Sequence, residues 1–310
     1  MKAMLAALLV LCPLAVASAA SVPLSRVVAV DGIDIHFLDT GGGPATLLLV
    51  HGWCGSSADF QPMLLRMPPE IRCIAVDLPG CGASGKPEIE YDIPFFVDFL
   101  SSFCDAMGLG RFVLAGHSMG GQVAAHFVRK YPDRVERLIL LDPYGLEGEE
   151  GGWLPLARLG GLVEVGFRLN TRLIIEMAVR GNLLYRPSQG VVDWLVDSTA
   201  RSIMGPEGSR ATASITRNVI GRDPVDGILP GIAQRTLVIW GANDRLLAPR
   251  WGERFVALLP NATLETIPLC GHMPTLEKPE EIAGLIAGFI GRENPRGREH
   301  RSSLLPCRGS

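Results

Sequence analysis

The pentapeptide Gly116-His117-Ser118-Met119-Gly120 sets one serine between two glycines, with the apolar run 112–115 before it and a helical pattern after it. A sharp strand-to-helix turn of this kind lifts a hydroxyl clear of the chain, and small flanking residues let the turn close. Serine is a poor nucleophile at neutral pH, so an imidazole must take its proton and a carboxylate must hold the imidazole. Asp244, in Gly241-Ala242-Asn243-Asp244, and His272, in Gly271-His272, each follow an apolar run, and the order Ser118, Asp244, His272 suits that arrangement. The chemistry is acyl transfer, which also requires two donors for a developing oxyanion. The backbone N–H of Met119 is one candidate and that of Trp53, in His51-Gly52-Trp53-Cys54-Gly55, the other. His51 reads as a structural histidine that bonds this loop.

Each of these residues needs a strand end to present it, and open α/β sheets gather their sites at one such edge. The chain supplies the ends by alternating short β-branched runs with longer amphipathic ones, the pattern of a mostly parallel sheet covered by helices. Residues 27–30 and 33–38 flank Asp31-Gly32, a two-residue hairpin signal. Further strands are expected over 46–50, 71–76, 112–115, 135–141, 236–240 and 263–267, and helices over 57–67, 94–107, 119–131, 249–259 and 279–290. Between residues 143 and 230 the alternation stops, far longer than an ordinary connection. Helical patches over 171–179 and 191–203 suggest an inserted helical lid, leaving 21–142 and 231–291 as the core. With Trp53, the residues Leu146, Trp153, Met177 and Met273 are expected to line a substrate pocket.

The chain has 310 residues, 47% hydrophobic and 20% charged, which excludes disorder, collagen-like repeats and a small disulfide scaffold. A formal charge of -3 offers no basic surplus for gripping phosphate backbones, so nucleic acid is not an expected partner. Residues 1–20 join Lys2 to an apolar run and to the small residues Ala17, Ser18, Ala19 and Ala20. This reads as a cleavable signal, with a secreted or periplasmic product and no stable membrane insertion afterwards. The alternative is anchoring by an uncleaved N-terminus. Residues 292–310 read as a flexible tail. Beyond the leader lie Cys54, Cys73, Cys81, Cys104, Cys270 and Cys307, which allow fifteen pairings, with buried thiols as the simpler reading. Without zinc-like spacing, no metal is expected.

His51-Gly52-Trp53, Asp77-Leu78-Pro79-Gly80-Cys81-Gly82-Ala83-Ser84, the serine pentapeptide, Gly241-Ala242-Asn243-Asp244 and Gly271-His272-Met273-Pro274 together resemble the α/β-hydrolase fold family over roughly residues 27–290. The resemblance implies an eight-stranded, mostly parallel sheet with an antiparallel second strand, and a lid after the sixth. It also implies that Asp77 shapes a loop near the pocket. Family members that open epoxides or cleave carbon–halogen bonds carry Asp at the turn, and Ser118 argues against both. Some members take their acid from the end of the sixth strand, which makes Asp142 the second choice after Asp244. The family's sheet would also let Cys54 and Cys81 meet if export oxidises them.

The expected activity is hydrolysis of carboxylic esters of small to medium, hydrophobic substrates through an acyl-enzyme, with no cofactor. Carbon–carbon bond hydrolysis beside a carbonyl and lactone opening would use the same triad. Amide cleavage and cofactor-free perhydrolysis share the constellation too. A ligand-binding member without turnover is the reading of a different class. The sequence leaves oligomeric state open.

Overall fold

The computed structural model describes residues 22–148 and 172–291. The expected signal (1–20), the tail (292–310), Cys307 and Trp153 lie outside those residues.

Eight strands form one sheet: β1 (Leu24–Val30), β2 (Ile33–Asp39), β3 (Ala45–Val50), β4 (Ile71–Val76), β5 (Phe112–His117), β6 (Val135–Leu141), β7 (Arg235–Gly241) and β8 (Ala262–Ile267). Their spatial order is β1-β2-β4-β3-β5-β6-β7-β8. β2 runs antiparallel to both neighbours, and all other pairs are parallel. Asp31 and Gly32 both take positive φ, 49° and 78°, the twist a two-residue hairpin turn requires.

The central strands are buried on both faces, which is why they read as unbroken apolar runs: all six residues of β5 are buried, as is 47–50 in β3. The long helices are α1 (Ile93–Ala106), α2 (Met119–Lys130), α3 (Arg172–Ala178), α4 (Gln189–Ile203), α5 (Gly205–Val219), α6 (Arg250–Leu258) and α7 (Pro279–Gly291). α1, α2 and α6 pack one sheet face through Phe96, Phe103, Phe127 and Phe255. α7 and the 57–64 segment cover the other through Phe60, Leu64, Ile282 and Ile286.

Local chemistry sets the helix ends. The Asp92 carboxylate accepts from Phe95 N–H at 2.8 Å and caps α1, worth about 1 kcal/mol. Pro132 stops α2, because it has no N–H to continue the ladder. The single helix expected over 57–67 is instead two short turns, Ser57–Phe60 and Gln61–Leu64, since Pro62 cannot donate back across the junction. α3, α4 and α5 all lie between β6 and β7, and α5 was not expected. Among the described residues no helix is long and apolar enough to cross a membrane.

Candidate active site

Ser118 sits between the end of β5 and the start of α2 with φ 52° and ψ −121°, a strained backbone stabilised by its surroundings. Its N–H donates to Leu141 O at 3.0 Å, and its carbonyl accepts from Gly121 N–H and Tyr144 N–H. The flanking glycines are obligatory at these contacts. A Cβ on Gly116 would lie 2.2 Å from Gly120 O, and one on Gly120 would lie 2.3 Å from Val50 O. Met119 opens α2, so its amide is among those with no intrahelical acceptor.

Asp244, after β7, and His272, after β8, are brought together. His272 Nδ1–H donates to Asp244 Oδ2 at 2.7 Å, with both side chains buried. Asp244 Oδ1 accepts from Leu246 N–H and Leu247 N–H, which fixes the carboxylate. That leaves His272 Nε2 as the ring nitrogen able to take a proton. Ser118 and His272 line one cavity. Asp142 ends β6 with φ 40°, fully buried, and its Oδ1 accepts from Gly241 N–H at 2.8 Å. Among the described residues, Asp142, Asp244 and His272 form the one cluster of His, Cys, Asp or Glu compact enough for an ion. Its donor atoms are largely engaged with one another and with backbone amides, an arrangement that serves hydrogen bonding.

Two neighbours of His272 take roles that their place in the sequence does not announce. His117 is buried, and its Nε2–H donates to His272 O at 2.7 Å. Burial, then the nearby His272, push the His117 imidazole down to about 3, so it stays neutral. Glu277 Oε1 accepts from Gly271 N–H at 2.9 Å and from Met273 N–H at 3.3 Å. Its Oε2 accepts from Tyr185 N–H at 2.7 Å, and His272 N–H donates to Leu183 O at 2.8 Å. The inserted chain at 183–185 is thereby tied to the loop that carries His272. Burial raises the Glu277 carboxyl above its ordinary range.

The loop after β3 packs against Ser118 closely enough that a Cβ on Gly52 would come within 3.0 Å of the serine Cβ. Trp53 Nε1–H donates to Thr216 Oγ1 of α5 at 3.0 Å. His51 is spent on the backbone: Nδ1–H donates to Gly52 O and Nε2 accepts from Leu78 N–H, and burial holds its imidazole neutral. Asp77 accepts from Ser57 N–H, Ala83 N–H and His36 Nδ1–H, so it organises loops.

The cavity beside Ser118 has a volume of about 160 Å³ and a mostly apolar wall. Trp53 and Met273 line it, but two expected residues do not. Met177 is 65% exposed, because Ile174, Ile175 and Ala178 form the stripe of α3 that faces the cavity. Leu146 is buried in the main core, where the chain tucks under after Gly145 and accepts from Val225 N–H. Asp59, unremarked in the sequence, also lines the cavity. Its Oδ2 accepts from Ser56 N–H at 3.1 Å, and burial pushes its carboxyl up to about 7. The five described cysteines are free thiols, with Cys81 near enough to Cys54 to add to the effect of burial in raising the Cys54 thiol well above its ordinary range.

A family model described as alpha/beta hydrolase fold matches residues 45–279, and the chain belongs to that family. The chain is similar to a thermophilic esterase from Thermogutta terrifontis, with a TM-score of 0.75 and 26% identity over 86% of this chain and 98% of that one. A bacterial membrane phospholipase A gives a TM-score of 0.73 and 27% identity over 87% and 86% of the two chains. A 2-hydroxy-6-oxononadienedioate/2-hydroxy-6-oxononatrienedioate hydrolase from Burkholderia vietnamiensis is 29% identical over 83% of this chain and 91% of its own length.

Proposed function

We propose that the chain is a serine hydrolase that cleaves uncharged carboxylic esters through an acyl-enzyme. Ser118 Oγ attacks the ester carbonyl while His272 Nε2 takes its proton, and Asp244 holds the ring and stabilises the imidazolium. The tetrahedral oxyanion is received by the N–H groups of Met119 and Trp53. Its collapse breaks the acyl C–O bond, and the alcohol leaves with the proton from His272. Water then attacks the acyl-enzyme, returning a proton through His272 to Ser118 as the acid departs. The inserted helices act as a lid, and residues 1–20 support export.

The observation that carries this reading is the Asp244–His272 hydrogen bond beside a strained serine on one apolar cavity. The relatives named as an esterase and a phospholipase support the ester bond. The Burkholderia relative supports a second reading, carbon–carbon bond hydrolysis on the same three residues. Its named substrate is a dioic acid, whose carboxylates call for cations. No Lys or Arg is among the described residues lining this cavity, and Asp59 adds an acidic group. Desolvating an anion against that wall is costly.

The test is steady-state turnover of nitrophenyl butyrate, its carboxylate-terminated analogue and a dienedioate, by wild type and Ser118→Ala. Ester turnover abolished in the variant is expected, with the neutral ester preferred by about a hundredfold. Preference for the dienedioate would establish the second reading, and undiminished turnover in the variant would remove Ser118 from the chemistry.

A further inference from the structure

We propose that Asp142 is a neutral carboxylic acid whose proton is donated to Asp244, so that the two carboxyls behind His272 carry one negative charge between them. Asp142 is then a positioning residue, and the inference rests on the triad assigned above.

The argument starts from an unsatisfied atom. Asp142 is 0% exposed, and while Oδ1 accepts from Gly241 N–H, Oδ2 is buried without a hydrogen-bond partner. An ionised oxygen in that state would forfeit its hydration with nothing in return. Oxygens of Asp142 and Asp244 and a ring nitrogen of His272 all lie within 4.8 Å of one another. Two carboxylates in such a space disfavour each other's charge, so one of them holds its proton to higher pH. Asp244 has the stronger claim on the charge, since it accepts from His272 Nδ1–H, Leu246 N–H and Leu247 N–H. Asp142 has one donor.

The surroundings on every side favour that assignment. Asp244 stands on the loop after β7, Glu277 follows the His272 loop, and Cys270 lies on the same loop near Asp142. Burial first, and then the charge on Asp244, push the Asp142 carboxyl well above the usual carboxylate range. A protonated Asp142 supplies the missing contact: its O–H donates to Asp244, and no proton leaves the pair. The interaction opposes drift of Asp244 away from His272.

Two measurements test this, one of which needs no activity. Infrared spectra of the folded enzyme at about pH 8.5, above the range in which Asp59 titrates, are expected to retain a protonated-carboxyl band that Asp142→Asn lacks. Complete ionisation of all carboxyls in wild type at that pH overturns the proposal, and that result stands even if the variant fails to fold. The second readout is the acid limb of kcat/KM. Asn replaces a neutral acid by a neutral amide that still donates, so the limb stays in place. Were Asp142 ionised, the same substitution would delete a negative charge beside His272 and move the limb down by about one pH unit or more. Loss of the triad reading would show instead as Ser118-independent turnover, with the infrared result unaffected.

Discussion

The Nε2–H of His117 donates to the main-chain carbonyl of His272 across 2.7 Å, so the residue preceding the serine pins the loop that carries the proposed base. Their rings lie 4.9 Å apart. Replacing His117 by Ala frees the loop and removes the ring packed against the His272 imidazole, while Ser118 and His272 themselves are unchanged. kcat is expected to fall by roughly ten- to a hundredfold with KM little changed, as for other small misplacements of a catalytic group. Gln, which can still donate, is expected to restore part of the loss. Steady-state kinetics on a short-chain ester decide it.

The same histidine makes stability depend on pH. Its imidazole is held at about 3 in the folded chain against an ordinary value of 6.5, so the unfolded chain binds the extra proton between those limits. Its contribution is complete above the unfolded value and fades as pH falls toward the folded one. The stability gap between wild type and His117→Gln is expected to narrow by about 1.4 kcal/mol per unit as pH drops from about 6 to about 4. Urea denaturation at several pH values measures it, and a constant gap would refute it.

Glu277 gathers amides from both sides of a seam, Tyr185 on the inserted chain and Gly271 and Met273 on the loop of His272. Ala at this position leaves three donors without their acceptor and is expected to cost about 3 kcal/mol, with Gln costing less because one oxygen remains. Thermal melting gives the stabilities. A tenfold or larger drop in kcat should accompany the Ala variant, since the same bonds orient His272.

Trp53 joins the loop after β3 to α5 through its bond to Thr216. Phe keeps an aromatic ring but loses the donor and part of the indole's volume, while Thr216 keeps its own bond to Thr212 O. A loss of about 1 kcal/mol is expected, together with a raised KM as the cavity wall loosens. An unchanged KM would show that this tie plays no part in shaping the cavity.

Asp59 gives the cavity a wall charge that depends on pH. Its carboxyl is neutral below about 7 and ionises above. Discrimination of a neutral ester against its carboxylate-terminated analogue is therefore expected to sharpen as pH rises through that value. In Asp59→Asn the ratio should be flat across the same range. Paired kcat/KM profiles supply the comparison.

The framework of the sheet was legible because its signals are local. Asp31-Gly32 marked the hairpin, unbroken apolar runs marked the buried strands, and the crowded Gly116 and Gly120 marked the bend at Ser118. α5 was not, since its short stripe of Ala211, Ile215 and Val219 is interleaved with buried Ser209, Thr212, Ser214 and Thr216, and that mixture blurs the apolar periodicity. The cavity wall was hard to read for another reason. Choosing Met177 over Ile174 and Ile175 requires the phase of a single helix relative to the rest of the molecule, which periodicity alone does not supply. His117 and Glu277 were hidden because each acts on backbone atoms of a distant segment.

Leu183 and Tyr185 bond to His272 and Glu277, so the inserted chain and the final loop behave as a single part with two addresses in the sequence. Chimeras that import the insertion from a relative will inherit its cavity wall only if residues 271–277 travel with it. Grafts that leave the native loop behind would mate surfaces never selected together, and a shift of specificity would be confounded with a displaced imidazole.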